Sequence, residues 1–306
     1  IFSKIVTHAA SQISSQQQDL VRLVVEEFPK TIHQSASIRK KVLTILIFLF
    51  KSSGAPMIMA ENPEAVSAFR SCLEIQDGNE VLTLRLFYSF LANPSTFGSF
   101  MKMIDTLAPK LTSDISAISL LAASCATVYL QRPSVEVPSS LQTPIIDFLS
   151  RHLKPGTMLT SPALRLLGVT TRTVGAIMNF EKNQGWESII PLISGDQNEI
   201  EVAMAVLASV SIVFPVPLFK PAFVEPVVNA LTLKGCTKYA LMFIANTSVD
   251  TGMAASFAKH IGKILAVADK MDEDISSLVL ICIKKIIDQD EGQKVAEERG
   301  LIKDLV

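Results

Sequence analysis

Apolar residues recur every three or four positions along almost the entire chain. This spacing places side chains on one face of an α-helix, whereas the apolar-polar alternation of a half-buried strand is never sustained for long. The pattern therefore predicts a protein that is nearly all α-helix.

A second pattern is the recurrence of long helices that are apolar on nearly every side. Such a helix must be covered by neighbouring elements over most of its surface. Successive examples are roughly 40 residues apart, with one shorter interval before Tyr239, and a fixed period of this size is typical of repeat proteins. We predict seven of these inner helices, at residues 38–51, 86–95, 115–130, 162–178, 199–213, 239–248 and 275–288.

Two of the inner helices have closely matching sequences. Residues 86–95 read LFYSFLANPS and residues 239–248 read YALMFIANTS, so both contain Phe, an aliphatic residue, Ala, Asn and a later Ser in register. Their separation is close to four repeats of about 38 residues. Each repeat is predicted to contain three helices, because amphipathic pairs lie between the inner helices, for example 96–103 with 104–111 and 252–259 with 261–270.

The end of the chain resembles an armadillo repeat. Residues 293–306 read QKVAEERGLIKDLV, which is similar to the short first helix of that family, a glycine at the sharp bend and the start of the second helix. Two helices that cross steeply leave a backbone conformation that glycine accepts most readily. Residues 185–193, GWESIIPLI, are similar to the same bend and second helix. Asn93 and Asn246 fall where the family often places an asparagine in its third helix.

This resemblance to the armadillo and HEAT superfamily, with the armadillo type favoured, implies a right-handed superhelical α-solenoid of about seven repeats. A single repeat domain would then cover residues 1–306, and the inner helices would be the third helices of the repeats. The usual third-helix tryptophan of the family is missing, because the single tryptophan, Trp186, lies at the bend position. This departure argues against importin-like binding of basic peptides, which needs paired Trp and Asn residues.

Residues 214–226 interrupt the regular pattern with four prolines. A helix cannot continue through prolines at this spacing, so an ordinary first helix is expected to be lost there. Prolines and serines also indicate a loop at residues 132–143. Both segments are interpreted as connections between repeats, with a binding loop as the alternative. We expect the proline-rich unit to be the least stable part of the chain.

The net charge of the chain argues against nucleic acids and anionic membranes as partners. The chain has 28 Lys and Arg residues against 29 Asp and Glu residues, a net charge of −1, so no long-range field favours a nucleic acid or an anionic membrane surface. The longest strongly apolar run, residues 42–50, is far shorter than the roughly 20 residues that span a bilayer. We therefore expect neither nucleic-acid binding nor membrane insertion.

The four cysteines are far apart, never form a CxxC motif, and lie among apolar or small residues. Thiols in such surroundings are interpreted as part of the core, which fits a reducing compartment and predicts a cytoplasmic protein. These residues are Cys72, Cys125, Cys236 and Cys282.

Catalytic chemistry has no recognisable signature in the sequence. Phosphate-binding glycine loops, HExxH, paired CxxC and the GxSxG nucleophile motif are all absent. The histidines, His8, His33, His152 and His260, are scattered, and carboxylate clusters fall at helix junctions where they can cap the following helix. We expect no catalysis, cofactor, metal or small-molecule substrate. A helical enzyme with an unrecognised site is the alternative, and it would require a deep pocket.

The third helices of such arrays line the concave side, so their polar residues are the ones that a ligand would meet. This placement makes Lys51, Asn93, Arg172 and Asn246 the candidate partner-binding residues, with another protein or a peptide as the partner. The competing interpretation is structural, because an asparagine at a helix end often satisfies neighbouring backbone groups.

The leading hypothesis is a non-catalytic scaffold or adaptor that binds its partner along the solenoid surface. The alternative is a C-terminal or internal regulatory domain of a larger signalling protein, such as a kinase or a trafficking factor. The missing initiator methionine and the end of the chain at Leu305 and Val306, inside an apparent second helix, indicate a fragment of a longer chain.

Overall fold

The computed structural model describes residues 15–51, 55–133, 135–268, 273–298 and 300. All regular structure within these ranges is helical, so the prediction of an all-α fold is confirmed. The chain divides after Phe148 into two compact units, which we call unit 1 and unit 2 and describe in turn. That residues 1–306 form one repeat domain stays a prediction.

Unit 1 is built from short and long helices. Its α-helices are α1 (Ser15–Thr31), α2 (Ala36–Leu49), α3 (Ala55–Ala60), α4 (Pro63–Glu74), α5 (Glu80–Ala92), α6 (Pro94–Phe100), α7 (Ala108–Leu111) and α8 (Ser116–Leu130). A 3-10 helix, Met101–Leu107, joins α6 to α7. Helix α9 (Ser139–His152) follows, and the division between the units falls within it, after Phe148.

Helices α2, α5 and α8 are the predicted third helices of unit 1. Helix α2 packs against α5, and α5 packs against α8. Leu46, Phe87 and Ala122, on the inward faces of these helices, have no exposed surface. Burial of apolar surface, at about 25 cal/mol per Å², stabilises helices whose local propensity alone would leave them marginal. A helix is present at each of the three predicted positions, but the one predicted at residues 86–95 begins six residues earlier, at Glu80, and ends at Ala92 because Pro94 begins α6.

Unit 2 contains the remaining third helices. Its α-helices are α10 (Thr160–Thr170), α11 (Val174–Asn183), α12 (Ile190–Ile193), α13 (Gln197–Val213), α14 (Val224–Ala230), α15 (Thr237–Thr247), α16 (Thr251–Ala258), α17 (Ile261–Ala268), α18 (Glu273–Ile287) and α19 (Asp290–Glu298). Helices α10, α13, α15 and α18 are the predicted third helices, and each packs against the next. Helices α16 and α17 lie where the pair at residues 252–259 and 261–270 is predicted, and residues 269 and 270 lie outside the described residues.

The third helix predicted at residues 162–178 is shorter than expected. Helix α10 ends, and α11 begins, within the sequence TTRT at residues 170–173. The Thr171 hydroxyl donates to the carbonyl four residues earlier at 2.7 Å, and the Thr173 hydroxyl accepts a hydrogen bond from the Ala176 N–H at 3.3 Å. Such side-chain bonds compete with the helix backbone, so the prediction of one helix through this sequence is wrong.

Residues 214–223 are irregular, as predicted, whereas α14 begins at Val224 and includes Pro226, so the predicted end of the segment at residue 226 is wrong. Between α13 and α14 the backbone forms two 3-10 helices, Val216–Leu218 and Pro221–Phe223, in place of an α-helix. Leu218 and Phe223 are nevertheless fully buried. The prolines therefore change the backbone conformation without removing the segment from the apolar interior of unit 2.

Two other predicted boundaries are wrong. The loop predicted at residues 132–143 is too long, because α9 begins at Ser139 and Leu141 is already fully buried. The predicted junction between helices at residues 103 and 104 falls inside the 3-10 helix of unit 1. In both places tertiary packing overrides the weak local preference of the sequence.

Glycines occupy the bends that the sequence predicts. The φ angle is +75° at Gly185 and +71° at Gly300, both in the left-handed region that favours glycine. Trp186 is fully buried against Phe180, with ring centroids 4.6 Å apart. Residues 301–306, where the next helix is predicted to start, lie outside the described residues.

Candidate functional site

Each third helix presents a stripe of side chains to solvent. On α2 the exposed residues Lys40, Thr44 and Lys51 are four and seven positions apart, a spacing that places them on one face. On α5 the exposed stripe includes Arg85 and Ser89. The candidate partner-binding residues can be placed relative to these stripes.

Lys51 is exposed just beyond the C-terminal end of α2. Its Nζ lies 5.9 Å from the centroid of the Phe48 ring, which is within reach of a weak cation–π contact. The described residues place no carboxylate within ion-pair distance of this ammonium group. Lys51 is therefore an exposed cation with no ion pair among the described residues.

Asn93 is half-buried at the junction of α5 and α6. Its Oδ1 accepts a hydrogen bond from the Ser95 N–H at 2.9 Å and so caps α6. Its Nδ2 has no acceptor within the described ranges. One end of the amide thus has the structural role that the competing interpretation expects, and the other end is open, that is, without a partner among the described residues.

Asn246 links two third helices of unit 2. Its Nδ2 donates to the Oγ of Ser211 at 3.0 Å, and Ser211 is buried on α13. The Oδ1 of Asn246 has no donor in the part of the chain that the structure describes. As with Asn93, half of the amide is used internally and half is open.

Arg172 is exposed, but it lies in the turn between α10 and α11 and not within a third helix. It belongs to unit 2 with Asn246, whereas Lys51 and Asn93 belong to unit 1 and stand at the C-terminal ends of neighbouring third helices. Each unit thus contains two of the four candidates. Whether these residues bind a partner stays a prediction.

Sequence reasoning misses two cations beside the candidates of unit 1. Arg85 is exposed on α5, eight positions before Asn93, and helical spacing would have found it. The guanidinium of Arg132 lies 5.0 Å from the Phe97 ring centroid and donates to the carbonyls of Leu91 and Ala92 at 3.3 and 3.2 Å. These contacts join distant parts of the chain and have no signal in the sequence.

A cluster of ionised side chains fixes the proline-rich segment to the Gly185 bend. The Nζ of Lys220 lies 2.7 Å from Oε1 of Glu181 and 2.6 Å from Oε2 of Glu187. Burial lowers the pKa of Lys220, but the two carboxylates outweigh burial and hold this pKa above its ordinary value. The hydrogen bond from Lys220 holds the pKa of Glu187 below its ordinary value. These mutually satisfied charges have a structural role.

Two buried polar atoms, Nε1 of Trp186 and Oε2 of Glu199, have no hydrogen-bond partner in the described structure. The other carboxylate oxygen of Glu199 accepts from the Gly156 N–H at 3.0 Å. Glu199 stands in the first turn of α13, where the helix dipole favours negative charge. Its position is explained by helix and loop structure.

The cysteines are buried thiols, and metal-ligating side chains do not cluster within the described ranges. The four cysteines are buried and unpaired, and burial raises the pKa of every thiol, to about 11 for Cys72 and to about 12 for Cys282. A raised pKa keeps the thiol protonated and poorly nucleophilic. Among these residues, no group of three or more His, Cys, Asp or Glu could hold a metal ion. His8 lies outside the described residues.

Within the described part of the chain, no helix combines the length and the apolar character needed to cross a membrane.

Known proteins resemble the chain in fold and not in sequence. No protein-family model matches the chain, and no curated protein matches it. The structure of an engineered protein superposes with a TM-score of 0.73 at 16% identity, over 87% of this chain and 68% of its own. A designed armadillo repeat protein gives a TM-score of 0.62 at 12% identity, over 72% of this chain and 99% of its own.

A further structure is described as computationally designed armadillo repeat proteins for modular peptide recognition. It gives a TM-score of 0.61 at 14% identity, over 74% of this chain and 99% of its own. At such identities the similarity shows the fold alone. The chain has an armadillo-like, all-α solenoid repeat fold, as its sequence predicts.

Proposed function

We propose that the protein is a non-catalytic scaffold that binds a protein or peptide along the exposed stripes of its third helices. The observation that carries this proposal is the open end of the amide in both Asn93 and Asn246. Every residue of a peptide except proline offers both a backbone N–H and a C=O, for which the Oδ1 of Asn246 and the Nδ2 of Asn93 are suitable partners. Lys51 and Arg172 add exposed charge at equivalent helix ends.

Apolar side chains near Asn246 support the same proposal. Ile212, Val213 and Val249 stand at the C-terminal ends of α13 and α15 and are 59, 42 and 46% exposed. A partner that covers them would gain about 25 cal/mol for each Å² of apolar surface buried. Protein interfaces usually combine polar groups, which fix the orientation of the partner, with apolar groups, which provide contact area.

Three further observations support the remaining parts of the proposal. A designed armadillo protein of similar fold was made for peptide recognition, which supports a peptide as the partner. The protonated, buried thiols support a role without catalysis. The same free cysteines support a cytoplasmic location, because unpaired thiols persist in reducing compartments.

A random peptide display library selected on the 306-residue chain tests the proposal. We expect the selected peptides to bind the unchanged protein and to lose binding to a variant with Ala at all four candidate residues, namely Lys51, Asn93, Arg172 and Asn246. The matched control replaces two cations and two amides on other exposed surfaces, namely Gln18, Arg22, Lys102 and Gln142.

Thermal unfolding of both variants separates binding from folding, because loss of the Asn93 cap alone costs about 1 kcal/mol. Binding is compared at a temperature at which both variants are folded. Equal binding by the two variants would remove the third-helix surface from the proposed function.

A further inference from the structure

Charges are segregated between the helices of unit 1. The third helices with the residues that end them, 36–51, 80–93 and 116–132, contain six basic residues and a single acidic residue, Glu80. Carboxylates are concentrated on the other helices, for example Glu26 on α1 and Glu64 on α4. The six basic residues are Arg39, Lys40, Lys41, Lys51, Arg85 and Arg132.

Two of these cations are satisfied inside the protein. Arg39 pairs with Asp77 at 2.7 Å, with side-chain exposures of 13 and 14%, and Arg132 donates to backbone carbonyls. The other four are exposed, and the described residues place no carboxylate within ion-pair distance of them. These four are Lys40, Lys41, Lys51 and Arg85, which we call the basic stripe.

Apolar side chains lie among the cations of the basic stripe. Ile38 on α2 is 39% exposed and Tyr88 on α5 is 40% exposed. Lys51 lies beside the Phe48 ring. A partner that fits this surface carries negative charges and also apolar side chains.

We propose that the basic stripe binds an acidic polypeptide segment in which Asp or Glu residues are interspersed with apolar residues. This inference rests on the proposed function and adds the chemical class of the partner. Packed helix axes are about 8–10 Å apart and an extended chain advances about 3.3 Å per residue. Two acidic residues about three positions apart in an extended segment are therefore spaced to reach Arg85 on α5 and a lysine on α2.

A polypeptide segment fits the basic stripe better than an extended polyanion does. Helix α1 packs against α2, and α4 packs against α5, and both α1 and α4 carry exposed carboxylates, for example Glu26 and Glu64. They repel a nucleic acid or an anionic bilayer that continues beyond the third helices. A short segment can follow the third helices without approaching those carboxylates.

The test compares four fluorescent probes on the full chain. The first is a short peptide with Asp at every third position and Leu or Tyr between, and the second has Lys in place of each Asp. The third is an oligothymidylate, and the fourth is a vesicle that contains phosphatidylserine. The test variant is Lys51→Glu with Arg85→Glu, and the control is Arg22→Glu with Lys102→Glu. Both variants change the net charge equally, and all four positions are accessible.

We expect the acidic peptide to bind the unchanged protein and the control variant alike, and to bind the test variant about tenfold more weakly. Binding should also weaken as salt is added. A preference for the Lys peptide, or equal weakening in both variants, would overturn the proposal. Binding of the oligothymidylate or the vesicle without binding of the acidic peptide would overturn it as well.

The peptides selected from the random library distinguish a failure of this inference from a failure of the proposed function. If they are neutral or basic and still require the four candidate residues, the proposed function stands and the acidic class of partner is wrong. If no selected peptide depends on the candidate residues, the proposed function itself fails, and the inference fails with it.

Discussion

In unit 1, Cys125 on α8 donates to the Leu84 carbonyl of α5, with Sγ 3.5 Å from the oxygen. In unit 2, Cys282 on α18 donates to the Leu241 carbonyl of α15 at 3.1 Å. Both pairs are separated by 41 residues, and both thiols are fully buried. The same side chain thus has the same position against the preceding third helix in both units.

The exposed stripes of the two units differ in charge. The third helices of unit 1 carry the basic stripe. Those of unit 2 carry exposed charges of both signs, namely the basic Arg165 and Lys238 and the acidic Glu201 and Asp274. Buried positions must satisfy close packing, so they preserve the repeat, while exposed positions can vary with the partner. The buried sides of the third helices therefore preserve the fold, and the exposed stripes are free to differ between the units.

The largest effect is expected in the aromatic interior of unit 1. The Phe90 ring stacks on Phe100 with centroids 3.9 Å apart and meets Phe69 edge-on at 5.2 Å. Phe90→Ala should lower the free energy of unfolding by about 3–5 kcal/mol. Hydrogen exchange should show the loss of protection first in α4, α5 and α6.

Tyr88→Ala is the matched control, because Tyr88 lies on the same helix and is 40% exposed. It should change stability by about 0.5 kcal/mol or less. Equal effects of the two substitutions would contradict the account of the buried side of unit 1.

The next largest change in the free energy of unfolding is expected at an ion pair of unit 1, and an ion pair of unit 2 serves for comparison. Burial raises the pKa of Asp77, but hydrogen bonds from Arg39 and Asn79 outweigh burial and hold this pKa below its ordinary value of 3.8. Asp77 therefore stabilises the fold above its unfolded-state pKa, and this contribution is lost as the pH falls through the lower folded-state pKa. Asp77→Asn should cost about 2 kcal/mol near pH 7, and the difference from the unchanged protein should shrink below about pH 4.

Glu187→Gln is the counterpart in unit 2. The Glu187 side chain is 52% exposed, so solvent screens its pair with Lys220. The Glu187→Gln substitution should therefore lower the free energy of unfolding by about 0.5 kcal/mol or less. Denaturant unfolding at both pH values checks the pair of variants, and a larger effect for Glu187→Gln would reverse the comparison.

The two equivalent cysteines provide a smaller and more exact comparison. Cys125→Ala and Cys282→Ala should each lower the free energy of unfolding by about 1–2 kcal/mol, because each removes a fully buried sulfur. The two values should agree to within about 0.5 kcal/mol. A difference well beyond that would show that the two positions are not equivalent.

The smallest global effect is expected from the proline-rich segment of unit 2. Lys220→Met removes both ion pairs and keeps most of the aliphatic side chain, so it should cost about 1 kcal/mol or less. Hydrogen exchange should nevertheless increase in residues 214–226. If these residues were already as protected as α13 in the unchanged protein, the prediction that they are the least stable part would be wrong.

The third helices could be predicted from the sequence because each is apolar on nearly every side. Their exact ends could not be predicted, because single side chains decide them. Thr171 and Thr173 end one helix and begin the next, and Asn93 caps α6. The division after Phe148 also has no counterpart in the periodic pattern.

The candidate site was predictable only in part. The alignment of the repeats places Asn93 and Asn246 at equivalent positions. Which end of each side-chain amide forms an internal hydrogen bond, however, depends on Ser95 and Ser211. Helical spacing could have added Arg85. The contact of Arg132 with Phe97 depends on tertiary packing, which no local pattern reports.

Lysine acylation of the full chain, with and without the acidic peptide and read by mass spectrometry, tests the central claim most directly. If a partner binds along the third helices, the peptide should protect Lys40, Lys41 and Lys51 and leave the exposed Lys102 and Lys182 as reactive as before. Protection of Lys102 or Lys182, with the third-helix lysines unchanged, would show that the partner binds elsewhere and would contradict the account.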